Sequence, residues 1–316
     1  MRRFAASKDI SERHVRPIAI GTRGSSLSRC QTQIIQVRLE ERFPGQRFTL
    51  KTIKAKADQQ PDVPLVAMSG EGIFVKELET ALRRGEVDLT VHSMKDLPLQ
   101  LGEGVCLAAV TEREDARDAL VSRTGHALDA LPPASRIGTS SLRRKSQLLF
   151  QRRDLDVVEI RGNVDTRLRK LDEGRYDAIV LAACGLIRLG LEDRLTQYLS
   201  FEQMLPEPGQ GALGIEAREG DQEMLEMLRF LDDPMARRCV DAERAFLGAL
   251  GGGCRVPIAA YAQASDEALA LEGAVIAPDG SRQLRDRASG PMAEPAILGE
   301  SLANRLIAQG ANRLLA

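Results

Sequence analysis

The sequence predicts an α/β protein of two similar doubly wound lobes, followed by a small α+β domain at the C-terminal end. Three observations lead to this prediction: strands alternate with helices, one strand-turn-helix pattern occurs twice, and the pattern changes near Asp233. The length agrees, because 316 residues is long for a single hydrophobic core and favours two or three domains.

The doubled pattern is a short apolar strand, a glycine, and hydroxyl residues where a helix begins. It occurs at residues 20–26 (IGTRGSS) and again at 137–141 (IGTSS). Helices are predicted to follow from about 27 to 42 and from about 142 to 152, since Ser and Thr cap helix N-termini. The two matching units predict two lobes of the same architecture.

A second pattern that occurs twice in the sequence supports the prediction of two similar lobes. Residues 85–91 (GEVDLTV) and 174–180 (GRYDAIV) each follow a predicted helix with a glycine and then an aspartate that opens an apolar strand. Two echoes in the same order indicate duplicated architecture, whereas either one alone could arise by chance.

The pattern changes after about Asp233, and we assign residues 234–316 to a separate C-terminal domain. That domain is expected to contain two helices, a glycine-rich loop before Cys254, and period-two strands around the turn signal Pro278-Asp279-Gly280. Residues 1–17 are polar and lack the apolar core of a secretory signal, so we expect a disordered extension.

Composition argues against several classes of protein. The formal net charge is −1 and aromatic residues are 3%, which argues against a nucleic-acid-binding or membrane-surface protein. The five cysteines show no CxxC spacing, so neither a zinc site nor a disulfide framework is expected. No apolar run is long enough to span a bilayer, and we expect a cytoplasmic protein without a metal.

Several cations lie where anions bind well. Free N–H groups and the helix dipole attract anions to helix N-termini, and arginine matches carboxylates two bonds at a time. The residues in question at the two helix starts, and the arginines that follow, are Arg23, Ser25, Thr139, Ser141, Arg143, Arg144, Arg161, Arg167 and Arg188. For Arg143 and Arg161 the pattern also leaves open a solvated basic surface.

Two further residues are candidates for chemistry. Asp96, beside Lys95, follows an apolar strand, and strand C-termini in open α/β sheets face the binding crevice. It could act as an acid, a base or a charge stabiliser, although the local pattern alone favours a plain turn carboxylate. Cys254 follows three glycines and precedes Arg255, which favours a thiolate, but an inert loop thiol remains the alternative. His92 alone fits a packed, hydrogen-bonded side chain.

Taken together, these segments resemble the porphobilinogen deaminase family. The matching pieces occur in order across nearly the whole chain after Pro17, and as a set they are specific. They are residues 21–27, 72–79, 91–98, 112–118, 138–144, 161–168, 181–190, 209–216 and 252–257.

The resemblance implies a fold, an activity and a site. It implies two domains like type II periplasmic binding proteins plus a third, and with it we assign residues 18–111 and 212–230 to lobe 1 and residues 112–211 to lobe 2. The expected protein is a monomer that joins four porphobilinogens head to tail, releases ammonia, and forms hydroxymethylbilane. It also implies a dipyrromethane cofactor held by a thioether to Cys254, and a catalytic aspartate at Asp96. The residues that it implies for holding substrate and cofactor carboxylates are Arg23, Ser25, Ser93, Lys95, Thr139, Ser141, Arg143, Arg144, Arg161, Arg167 and Arg188.

The chemistry implied by the resemblance agrees with the residues. Each pyrrole ring carries two carboxylates, so the growing chain is a polyanion that fixed cations can hold. Loss of ammonia from the substrate leaves a cation that a carboxylate at Asp96 can stabilise. The sequence departs from the family at residues 55–58 (AKAD), and at Ala67 and Glu71, where the family often has lysine.

Other classes of function remain open at this stage. Two lobes alone would also fit a polycarboxylate-binding protein without turnover, and Ala67 and Glu71 would fit a family member that turns over poorly. A thiol-dependent acyl transferase would need a histidine beside Cys254, and none of the three histidines shows that pairing.

Overall fold

The computed structural model describes residues 16–54, 75–252, 256–265 and 268–315. Within these ranges the chain forms two five-stranded sheets and one three-stranded sheet, with helices packed against them. The predicted fold class, two similar α/β lobes with a small α+β C-terminal domain, is confirmed. None of the helices in these ranges has the length and apolar character needed to cross a membrane.

The elements are numbered in chain order through the described part. The strands are β1 Ile18–Thr22, β2 Phe48–Thr52, β3 Leu89–Ser93, β4 Val105–Val110, β5 Asp118–Ser122, β6 Arg136–Gly138, β7 Asp156–Val158, β8 Ala178–Ala182, β9 Gln197–Tyr198, β10 Leu213–Arg218, β11 Ile258–Ala264, β12 Ala268–Ile276 and β13 Gln283–Pro291. The helices are α1 Ser26–Arg42, α2 Lys76–Arg83, α3 Leu142–Gln151, α4 Val164–Asp172, α5 Ala183–Arg188, α6 Gln222–Leu228, α7 Pro234–Ala249, α8 Pro295–Ala308 and α9 Ala311–Leu315.

The two large sheets have the same plan. The first has the order β2-β1-β3-β10-β4 and the second β7-β6-β8-β5-β9. In each, the first three strands are parallel and the fourth runs antiparallel to its neighbours. Strand β10 follows the whole second sheet in sequence yet lies between β3 and β4, so the chain returns to the first lobe.

An aspartate at the start of the central strand is used in the same way in both lobes. The Asp88 carboxylate accepts a hydrogen bond from Ala19 N at 2.8 Å, and Asp88 N donates to Ala19 O at 2.8 Å. Asp177 makes the same pair of bonds with Arg136, at 2.8 and 2.9 Å. The second sequence echo is therefore a repeated hydrogen-bond pattern. In lobe 1, Arg16 adds an ion pair to Asp88 at 2.6 Å.

The two helices that follow the glycine turns begin as the sequence predicts. Ser25 caps α1 by accepting a bond from Ser28 N, and Ser141 caps α3 by accepting one from Arg144 N. The predicted spans, about 27–42 and 142–152, differ from the observed ones by one residue, which is within the usual fraying of helix ends.

The C-terminal domain packs two helices on one face of its antiparallel sheet, β11-β12-β13. Phe246 of α7 is fully buried there, and a Cβ added at Gly273 would lie 2.4 Å from its ring. Glycine is thus required for the helix and the sheet to approach this closely. The predicted turn around Gly280 joins β12 to β13, and Gly280 has φ +70°.

The C-terminal domain contacts both lobes. Helix α7 shares a buried cluster with lobe 1 that includes Met94, Leu97 and Val240. The opposite face of its sheet meets lobe 2, where the rings of Phe201 and Tyr261 stack at 4.0 Å. The turn that follows β3 therefore packs directly against α7.

Candidate functional site

Asp96 lies in a single 3-10 turn, Met94–Asp96, at the carboxyl end of β3. Met94 and Leu97 on either side are buried in the cluster shared with α7, so the backbone of the turn is held firmly. Lys95 and Asp96 remain partly exposed. This is the crevice position that the sequence predicts for Asp96.

A pocket brings Asp96 together with residues from β3, from α1 and from the turn that joins β1 to α1. Arg23 and Ser93, both predicted from the sequence, lie in its wall. Gln31 of α1 also lines it and donates to Ser93 Oγ at 2.9 Å. The full set of lining residues is Arg23, Ser28, Gln31, Val75, Val91, His92, Ser93 and Asp96. A cation, a carboxylate and several uncharged donors therefore face one small space.

His92 is buried and hydrogen-bonded, as the sequence analysis expected. Its Nε2 atom lies 2.9 Å from Glu216 Oε2 and 2.9 Å from Thr90 Oγ1. Thr90 also donates to the same Glu216 oxygen at 2.9 Å. These three buried groups join β3 to β10 behind the pocket.

Arg143 and Arg144 both bind the buried carboxylate of Asp118. Arg143 Nη1 lies 2.7 Å from Asp118 Oδ2, and Arg144 Nη2 lies 2.7 Å from Oδ1. Burial opposes the charge on Asp118, but the two guanidinium groups outweigh it and hold the pKa of this carboxyl far below its usual range. Two cations against one anion leave a net positive charge. Nε and Nη2 of Arg143 are buried and have no hydrogen-bond partner within the described ranges.

The remaining predicted arginines have different partners. Arg161 pairs with Glu159 at 2.7 Å. Arg167 donates to Gly162 O at 2.7 Å, and Arg188 donates to Gly211 O. Neither of these two pairs with a carboxylate among the residues that the structure describes. Burial and the nearby Arg144 lower the pKa of Arg167 to about 10, so the group keeps its charge at neutral pH.

The three hydroxyl residues at the helix starts bond mainly to the backbone and to each other. Ser25 and Ser141 cap their helices, and Ser25 also donates to Ser28 Oγ at 2.8 Å. Thr139 is buried, and its Oγ1 accepts a bond from Ser141 N at 3.2 Å. These contacts order the two helix N-termini, and a direct role in binding carboxylates stays a prediction for all three.

The sequence analysis missed Gln31 of the pocket wall, and it missed Asp118 and Gln210. Asp118 opens an apolar strand, and a carboxylate in that position needs cations nearby, which is a signal that could have identified it. Gln210 lies between two glycines and accepts a hydrogen bond from Lys95 Nζ at 3.0 Å. No local pattern indicates that contact, because the two residues are 115 positions apart.

Cys254 lies outside the described residues, as do Ala67, Glu71 and residues 55–58. Helix α7, which leads towards Cys254, is held to the segment after Asp96. Arg244 of α7 donates to the carbonyl oxygens of Leu97, Pro98 and Leu99 at 3.1, 2.6 and 3.1 Å. The helix before the cysteine and the turn with the aspartate are thus joined by a shared core and by these bonds.

Comparisons with known proteins agree along the chain. Residues 18–226 match the family model described as porphobilinogen deaminase, dipyromethane cofactor binding domain. Residues 237–308 match the model described as porphobilinogen deaminase, C-terminal domain. A periplasmic substrate-binding protein of an ABC transporter from Coxiella burnetii is 18% identical, covering 68% of this chain and 91% of its own, with a TM-score of 0.43. A likeness that distant adds nothing to what the two sheets themselves show.

Curated relatives match over nearly the full length. The porphobilinogen deaminase of Pelobacter propionicus is 49% identical over 300 residues, which cover 95% of this chain and 96% of that protein. The porphobilinogen deaminase of Thiobacillus denitrificans is 50% identical over 298 residues, covering 94% and 97%. With both family models and these relatives matched, the chain belongs to the porphobilinogen deaminase family.

Proposed function

We propose that Asp96, Cys254 and the cations around the pocket carry out the reaction of this family, the head-to-tail joining of four porphobilinogens into hydroxymethylbilane with release of ammonia. The protein is a tetrapyrrole-building transferase with a dipyrromethane cofactor, in line with the family models and the relatives. The single observation that best supports the residue roles is the pocket in which Asp96 lies with Arg23 and Ser93.

The residues present fit a dipyrromethane. Such a group carries several carboxylates, and Arg167 and Arg188 are cations without a carboxylate partner in the described part of the chain. Arg23 adds a third cation in the pocket wall. We assign the covalent attachment to Cys254 and the carboxylate contacts to these arginines with Lys95. When bound, the group supplies the free pyrrole carbon to which the first substrate is joined.

Asp96 is proposed to act on the substrate by charge and by proton transfer. Positive charge develops on the substrate ring as its aminomethyl nitrogen departs, and an ionised carboxylate held in place lowers the energy of that charge. One Asp96 oxygen can also take a proton that the new bond releases and pass it towards water. The buried neighbours Met94 and Leu97 keep the carboxylate from moving away from this position.

The test is the intact mass of three purified proteins: wild type, Cys254→Ala, and Cys106→Ala as a matched control. We expect the wild type and the control to carry extra mass equal to two linked porphobilinogen units, and Cys254→Ala to carry none. Cys106 is a partly buried thiol on β4 whose Sγ bonds to Ala217 O, so its loss should leave the mass addition intact.

A fourth protein, Asp96→Asn, separates attachment from turnover. It should carry the added mass, but product formation should fall by about a hundredfold or more, as with other losses of a charge stabiliser. A wild type that stays unmodified after incubation with porphobilinogen would contradict the proposal.

The alternative of a polycarboxylate-binding protein without turnover is not favoured, because the cofactor-domain model and the enzyme relatives match. We also propose that the protein is a monomer in the cytoplasm that binds no nucleic acid. We further propose that lobe 1 comprises residues 18–111 and 212–230, lobe 2 residues 112–211, and the C-terminal domain residues 234–316. Size-exclusion chromatography with light scattering tests the first of these.

A further inference from the structure

We propose that Gln210 is a positioning residue of this site, whose single side-chain amide holds a cation of lobe 1 and an anion of lobe 2 in a fixed relation. The cation is Lys95, next to Asp96, and the anion is Asp118, the partner of Arg143 and Arg144. The inference rests on the proposed function, since it concerns the cations that would hold the substrate.

The two ends of the amide match their partners in chemistry. Gln210 Oε1 accepts from Lys95 Nζ at 3.0 Å, and Nε2 donates to Asp118 Oδ1 at 2.9 Å and to Ala116 O at 2.7 Å. The side chain is fully buried, so water does not compete for these bonds. Only an uncharged group with a donor and an acceptor can satisfy both neighbours, because a carboxylate would repel Asp118 and an amine would repel Lys95.

The backbone leaves Gln210 no freedom to move away. Gly209 and Gly211 on either side have φ +78° and +99°, which favours glycine. A Cβ at Gly209 would lie 3.2 Å from Lys95 N, and one at Gly211 would lie 2.3 Å from Glu114 O. The carbonyl of Gln210 also accepts from Arg113 Nε at 2.8 Å. The segment is thus pressed directly against the turn that carries Asp96.

One consequence concerns charge. Because Gln210 is a neutral acceptor, its hydrogen bond orients the Lys95 ammonium without cancelling its charge. Its other end supplies a further donor to Asp118, which already accepts from Arg143 Nη1 and from Arg144 Nε and Nη2. The amide therefore aligns cations from both lobes for one polyanion.

The experiment compares Gln210→Met, Gln210→Glu and a control, Gln147→Met. Gln147 is another buried glutamine, and its amide bonds to the backbone of Leu205 and to the backbone carbonyl of Arg143, rather than to Lys95 or to Asp118. Four quantities are measured for each variant: KM and kcat with porphobilinogen, the thermal midpoint, and the rate at which acetic anhydride modifies Lys95. Peptide mass spectrometry follows the last of these.

We expect Gln210→Met to raise KM by about tenfold, with a smaller change in kcat, because hydrogen bonds to charged groups are involved. Lys95 should become more reactive in this variant. Gln210→Glu should raise KM further, since the new carboxylate pairs with Lys95 and repels Asp118, while the reactivity of Lys95 does not rise. Gln147→Met should lower only the thermal midpoint.

A double-mutant cycle that combines Lys95→Met with Gln210→Met tests whether Gln210 acts through Lys95. The effects of Lys95→Met and Gln210→Met on KM should be clearly less than additive in the double variant. Additive effects, or wild-type KM and wild-type Lys95 reactivity in both Gln210 variants, would overturn the proposal. Should Gln210→Met not fold, Gln210→Glu keeps the shape and decides the question alone.

Failure of the inference can be told apart from failure of the proposed function. Lys95 reactivity is read without turnover, so it decides the role of Gln210 even if the wild type makes no product. An active wild type together with unaffected Gln210 variants would remove the inference and leave the function in place.

Discussion

At the scale of single residues, one buried carboxylate of lobe 2 is paired with two arginines, so that the cluster keeps a net positive charge. Asp118 is fully buried and meets Arg143 and Arg144. Burying any one of these charges alone would be costly, so the three depend on one another. The sequence predicts a ligand-binding role for the two arginines, and the structure shows that they also form a buried ion cluster with Asp118.

Replacing Asp118 with asparagine should destabilise the fold by about 3–5 kcal/mol, because two buried guanidinium groups would lose their counter-ion. Urea unfolding of the wild type and of the variant measures this difference in the free energy of unfolding. Asp154→Asn is the control, since Asp154 pairs with Arg152 at the surface and should leave the midpoint nearly unchanged. Equal midpoints for the two variants would show that the buried charges of this cluster do not depend on one another.

The sign of the pH dependence follows from the depressed pKa of Asp118. Its contribution to stability is fully present above the unfolded carboxyl pKa of about 4, and it declines as pH falls towards the much lower folded value. The stability difference between wild type and Asp118→Asn should therefore be constant near neutral pH and shrink only in acid. A difference that instead grew in acid would show that another group is responsible.

At the scale of elements, the C-terminal domain is placed by close backbone contacts. The β12–β13 turn lies against the end of α3, and a Cβ added at Gly280 would be 2.6 Å from both Leu149 Cβ and Phe150 N. Arg285 holds the neighbouring loop of lobe 2 by donating to the carbonyls of Phe201 and Glu202 at 2.8 and 2.9 Å. Both contacts orient the domain that carries Cys254.

Gly280→Ala should be more destabilising than Gly85→Ala. Both glycines have a similar positive φ, +70° and +67°, so the backbone strain is alike, about 1–2 kcal/mol. At Gly85 nothing lies within 4 Å of the added Cβ, whereas at Gly280 the helix must shift, which adds about 1–3 kcal/mol. Thermal denaturation of the two variants compares them, and matching midpoints would show that the turn does not pack on α3 as described.

At the scale of the whole molecule, one buried carboxylate links the C-terminal domain to the two segments that connect the lobes. Glu243 of α7 binds Arg113 at 2.6 Å and accepts from Gly209 N and Ala262 N, each at 2.7 Å. Gly209 belongs to the segment that returns to lobe 1, and Ala262 lies in the C-terminal sheet. The C-terminal domain should therefore unfold together with the lobes.

Glu243→Gln should lower the unfolding free energy by about 3–5 kcal/mol and split the calorimetric transition, with the C-terminal domain melting first. Glu272→Gln is the control, because Glu272 pairs with Arg285 and Arg287 within that domain and nearer its surface. A single unchanged transition in Glu243→Gln would show that the domains are coupled by other contacts.

The sequence by itself determined the features that depend on neighbours along the chain. Apolar periodicity and capping serines located the first helix of each lobe to within a residue, and the Gly-x-x-Asp echoes predicted the duplicated plan. The same local reasoning placed Asp96 at the end of β3, where the crevice lies. These features were accessible because a strand, a cap or a turn is specified within a few residues.

Only the tertiary structure decided which charged groups meet. Lys95 with Gln210, Asp118 with Arg143 and Arg144, and the placement of β10 between β3 and β4 all join distant segments. Such contacts depend on the path of the chain between sheets, and many pairings would satisfy the same composition. The burial that makes these charges interdependent arises only when both lobes and the C-terminal domain are packed together, and no stretch of sequence contains that information alone.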